Sequence, residues 1–147
     1  MAFTRLRAGL IIAEAVICFA LPAYALFWGL ITAPLWYFAW QRGGEYAGWH
    51  LLYAAGGCFG IVAVVAFVRH LVSSDPERTF AAGRNIVFAI LGLAALWSSV
   101  TDRFATFQLD PFTFAIAVLP SLCFAHFVIL ALRKSRLTRA GSIQALD

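Results

Sequence analysis

The stretch from Ala8 to Trp40, AGLIIAEAVICFALPAYALFWGLITAPLWYFAW, carries a single formal charge, Glu14. A bilayer's hydrocarbon core takes about 20 apolar residues in helical form. This stretch therefore reads as membrane-spanning, and it is too long for one simple span. Proline lacks an amide N–H and crowds the preceding turn, so Pro22 and Pro34 are expected to divide it. The reading is a helix from about Leu10 to Ile31, followed by an interfacial segment from Ala33 to Trp40. Three more apolar runs follow, Trp49 to Arg69, Ala82 to Val100 and Phe112 to Leu132. The fold class is an all-α integral membrane protein: one domain, a bundle of four transmembrane helices joined by short linkers.

Composition supports this class. Hydrophobic residues make up 63% of the 147-residue chain and charged residues 12%, whereas a soluble domain carries about 25% charge. The net charge of +4 sits at the helix ends, where basic side chains meet lipid head groups. No nucleic-acid motif accompanies it, so membrane lipid is the expected partner and nucleic acid is not. Cys18, Cys58 and Cys123 all lie inside apolar runs without a CxxC spacing, and no disulfide is expected. Arg5, Arg7, the apolar run and Ala23-Tyr24-Ala25 imitate a cleavable secretory signal. Because apolar sequence continues to Trp40, a retained helix is expected. Lipidation at Cys18 is not, since Ile17 stands where a lipoprotein signal needs a small residue.

Local signals mark two helix starts. Ser74-Asp75-Pro76-Glu77 combines a capping residue, a proline at the first helical position and a glutamate three residues after the serine. It predicts that the third helix begins near Pro76 as a short amphipathic extension. Asp110-Pro111 repeats the device before the fourth. Basic residues set the orientation. Arg5, Arg7, Arg69, Arg78, Arg84, Arg133, Lys134, Arg136 and Arg139 fall on one side, against Arg42 and Arg103 on the other. By the positive-inside rule both termini are cytoplasmic, in a bacterial inner membrane. Trp28, Trp36, Trp40, Trp49 and Trp97 then all lie in the outer half, with Tyr24, Tyr37, Tyr46 and Tyr53. One reading is an anchoring belt. The other is an outer contact surface of Trp36, Tyr37, Trp40 and Trp49, docking a partner or a lipid-like ligand such as a quinone.

Glu14 is the costly residue, since a charge at mid-helix in lipid costs about 2.5–3.5 kcal/mol. It lies about 9 Å past Ala8 at a rise of about 1.5 Å per residue. His126 lies about 10 Å before Arg133 by the same count. With the first and fourth helices antiparallel, the two can meet at one depth. Cys18 shares the face of Glu14, and Cys123 that of His126. Three readings stand open. The set can be packing plus one structural polar pair. It can be a proton-exchange site of Glu14 and His126. It can be a zinc or copper site of Cys18, Cys123, Glu14 and His126, although their depths differ by about one helical turn. No cofactor is expected as the main reading. His50, His70 and His126 differ in depth, so a bis-histidine haem within one chain is not expected, which leaves one shared between two subunits.

Gly56 and Gly60 form a GxxxG pair that Ala63 extends. Small residues let helices approach closely, either within the bundle or between chains. No catalytic triad, HExxH, phosphate-binding loop or loop carboxylate pair is present, and Asp102, Arg103 and Asp110 read as a solvated, capped turn. The chain is expected to be a non-catalytic subunit or accessory protein that associates with other membrane chains, as a homo- or hetero-oligomer. The alternative is a small proton-coupled transporter or channel using Glu14 and His126.

Overall fold

The computed structural model describes residues 2–73, 80–100 and 111–144. Among them the chain is all helical: α1 (Ala2–Gln41), α2 (Glu45–Val72), α3 (Ala82–Ser99), α4 (Pro111–Thr113), a π-helical stretch (Phe114–Val118) and α5 (Leu119–Gln144). The last three follow without a break and form the fourth span. Four helices are long and apolar enough to cross a membrane, which makes the chain a multi-pass membrane protein.

The first helix departs from expectation. It runs unbroken for 40 residues with Pro22 and Pro34 inside it, so Ala33 to Trp40 continues the helix and is not a separate interfacial segment. The physical reason is the medium. Breaking a helix in lipid strips several backbone groups of partners at several kcal/mol each, while one proline frees a single carbonyl.

α1 ends in a tight glycine turn. Gly43 adopts φ +86°, its N–H bonds to the Trp40 carbonyl at 3.0 Å, and the Gly44 N–H bonds to the Ala39 carbonyl at 3.0 Å. This paired closure is a Schellman cap, which needs a left-handed residue just past the helix end. A side chain at Gly43 is therefore strained even though an added Cβ meets nothing within 4 Å. Gly43→Ala is expected to cost about 1–2 kcal/mol, read as a lowered unfolding temperature in detergent.

The third helix starts at Ala82, and Phe80 and Ala81 before it are not helical. An extension beginning near Pro76 thus does not run continuously into α3. The Ser74–Glu77 signal, Asp110 and the Asp102–Arg103 turn lie outside the described residues, while Pro111 does open the fourth span.

α2 is central and packs against both α1 and α3, with the fourth span closing over it. The buried core lies toward the chain-terminal end, where Ile11, Ala15, Cys18, Phe19, Val64, Phe67, Phe124 and Phe127 interlock. Phe19 and Phe124 meet edge to face at 4.9 Å. Lipid is as apolar as these side chains, so close dispersion contact holds them together rather than water exclusion. At the same end Lys134 Nζ donates to the carbonyls of His70 at 2.5 Å and Ser73 at 2.6 Å. A cation at the C-terminal carbonyls of α2 also complements the helix dipole.

The glycine face is used inside the chain. A Cβ built on Gly56 would lie 2.5 Å from Ala95 Cβ, and one built on Gly92 would lie 2.4 Å from Gly60 Cα. Gly56 and Gly60 therefore let α2 and α3 touch backbone to backbone, and Ala63 is fully buried. Of the two roles expected for this face, packing within the bundle is the one seen here.

The fourth span is widened ahead of Pro120. The Leu119 N–H bonds five residues back to the Phe114 carbonyl, and Pro120 itself has no N–H to restore the tighter register. Ser121 Oγ donates to the Ala117 carbonyl at 2.6 Å and accepts from Trp97 Nε1 at 2.9 Å. That relay ties α3 to the fourth span.

Candidate functional site

Glu14 projects from α1 and His126 from α5, and His126 Nδ1 lies 2.7 Å from Glu14 Oε1. This is a short hydrogen-bond distance. The pair is not enclosed: the His126 side chain is 50% exposed and that of Glu14 30%. Cys18 and Cys123 are buried free thiols that lie near each other and near the Glu14 carboxyl. The inner side of the pair thus meets sulfur and the Phe19–Phe124 core. Its outer side lies among Leu10, Ile17, Leu122 and Ile129, all of them exposed.

The four side chains are neighbours, yet among the described residues no group of three or more His, Cys, Asp and Glu is arranged to hold a metal ion. The zinc or copper reading gains no support from this arrangement. The three histidines are not brought together either. His50 stacks on Trp36 at 4.0 Å near the glycine turn, and His70 stacks on Phe80 at 4.1 Å at the other end of α2.

The aromatic residues divide into two groups. Tyr37, Trp40 and Trp49 are exposed and form the outward part of the expected contact surface. Trp36 turns inward: its Nε1 donates to Thr32 Oγ1 at 3.2 Å, and Thr32 Oγ1 donates to the Trp28 carbonyl at 2.9 Å. The inward group was not anticipated. The i, i+4 spacing of Trp28, Thr32 and Trp36 was the available signal.

Comparison with family models, with curated proteins and with solved structures finds no match.

Proposed function

We propose that this chain is a non-catalytic inner-membrane subunit, with both termini cytoplasmic, that associates laterally with another membrane chain through the face bearing Glu14 and His126. One observation carries this reading: a carboxyl–imidazole pair left half-covered among exposed apolar side chains. Lipid solvates such a pair poorly. A neighbouring helix that presents a hydroxyl, amide or basic group at this depth satisfies it and gives the contact its register.

Native mass spectrometry of the detergent-extracted protein tests this. A complex with a different membrane chain is expected, and it is lost in the Glu14→Leu/His126→Leu double variant. Extraction of the unmodified chain without any such partner overturns the reading. The orientation rests on the Arg and Lys distribution. In a background lacking native cysteines, a cysteine at Gly44 is expected to react with an impermeant maleimide from outside intact cells, and one at Ser73 is not. Labelling of Ser73 from outside reverses the topology.

The 2.7 Å contact also favours a second reading, proton exchange between Glu14 and His126 in a transporter. That reading predicts that purified protein dissipates a pH gradient across liposomes and that Glu14→Gln abolishes the effect without altering the fold. The association reading predicts no dissipation.

A further inference from the structure

The half of the bundle near the glycine turn is filled only in part, by a small core of Val100, Ile116 and Ala117. A cavity of about 410 Å³ lies between α1 and α3, backed by α2 and floored by Phe19 and Phe124. Its volume falls within the range of small-molecule sites, about 300–1,000 Å³. It is long: along α2 its lining runs from His50 to Ile61, or about 17 Å at the helical rise.

The lining is graded. At the floor it consists of Phe19, Pro22, Gly60, Ile61, Gly92 and Phe124, all apolar. At the turn end it carries Thr32, Trp36, His50, Tyr53 and Ser99. Among the described residues no Asp, Glu, Lys or Arg lines it, so the described lining offers nothing to neutralise a phosphate or a carboxylate. The polar end is flat and aromatic. His50 lies 4.0 Å from Trp36 at 25°, Tyr53 meets His50 edge-on at 6.2 Å, and the Thr32 relay fixes Trp36 in place. Among the described residues, neither the His50 imidazole nor the Tyr53 hydroxyl has a hydrogen-bond partner.

We propose that this cavity binds an uncharged isoprenoid quinone or quinol. Its planar ring lies at the aromatic end within reach of His50 and Tyr53, and its tail runs down to Phe19 and Phe124. The argument is one of matching chemistry. A neutral ring with carbonyl or hydroxyl oxygens suits two side chains that can donate or accept, and a tail suits the apolar floor. A phospholipid places a charged head where the described lining has no countercharge. This site is separate from the Glu14–His126 face and does not depend on it.

The test is tryptophan quenching in detergent by a decyl-tailed benzoquinone, since Trp28 and Trp36 both line the cavity. Saturable quenching is expected from the unmodified protein. Gly29 lines the cavity, and a Cβ there meets nothing within 4 Å. Gly29→Phe therefore fills the space and is expected to weaken binding about tenfold or more. Gly9→Phe, at an equally open position outside the cavity, is expected to bind normally. Ala25→Leu narrows the same space independently and is expected to follow Gly29→Phe, with helicity retained in both. Tyr53→Phe keeps the shape and removes the hydroxyl, for an expected loss of about two- to tenfold. Linear, unsaturable quenching that is identical in the unmodified protein and Gly29→Phe overturns the proposal, because the quinone is then only partitioning into detergent. Displacement by lysophosphatidylcholine at equal concentration, with Tyr53→Phe without effect, also overturns it and identifies a lipid acyl-chain slot.

Discussion

Gly92→Ile is expected to prevent the bundle from closing. The added Cβ would fall 2.4 Å from Gly60 Cα, 2.9 Å from Gly60 N and 3.4 Å from the Gly56 carbonyl oxygen. All three are backbone atoms of α2, so no rotamer change can make room and the two helices must separate. Separation also removes the dispersion contacts that replace the hydrophobic effect within lipid. The cost is about 3 kcal/mol or more, at the upper end of what overpacking produces. Gly83→Ile is the control: it lies on the same helix with nothing within 4 Å of its Cβ. Thermal unfolding in detergent, followed by circular dichroism, reads the difference. Equal melting temperatures for the two variants would show that α2 and α3 do not meet at Gly60 and Gly92.

The second large effect is coupling between Glu14 and His126. Removing either side chain leaves the other without its 2.7 Å partner in surroundings of exposed Leu and Ile. Glu14→Leu and His126→Leu are each expected to destabilise by about 1–3 kcal/mol, the penalty of an unsatisfied polar group. The double variant leaves neither group behind, so its loss is expected to be smaller than the sum of the singles by about 1 kcal/mol. Glu14→Gln retains a hydrogen-bonding group and is expected to fold normally. Strict additivity in the melting temperatures would mean that the two side chains act separately. The same variants report on the partner complex, which separates a structural role from an associative one. If stability falls while the complex survives, the pair is internal to this chain.

The four spans were legible because lipid demands long apolar runs and tolerates little else. The juxtaposition of Glu14 and His126 could be approached by counting residues from the charged ends, since helical rise converts position into depth. What failed were inferences that treated residue types as they behave in water. Pro22 and Pro34 looked like breaks, but backbone satisfaction in lipid outweighs the lost bond. The start near Pro76 rested on cap chemistry and could not reveal the break at Phe80 and Ala81. The GxxxG pair could be recognised but not assigned a partner. Periodicity shows that a face is small, not which helix fills it, and Gly92 on α3 belongs to no GxxxG pair and attracts no notice by itself. The cavity was illegible for a related reason: a void forms where several helices fail to meet, and no single segment records that.

The length of α1 constrains how the protein sits in a bilayer. Its apolar stretch from Ala8 to Trp40, as one helix, extends about 50 Å against a hydrocarbon thickness of about 30 Å. Immersing all of it would require a tilt of about 50°, beyond the range of about 0–40° observed for membrane helices. At an ordinary tilt of about 20°, roughly 18 Å must stand clear of the hydrocarbon. α1 stays helical through both prolines, so the excess length leaves the hydrocarbon as helix. At that end α1 turns back into α2 as a helical hairpin with the Gly43–Gly44 turn at its tip. Tyr37 and Trp40, both exposed, then stand at and above the head groups, where a soluble protein can reach them without entering the membrane.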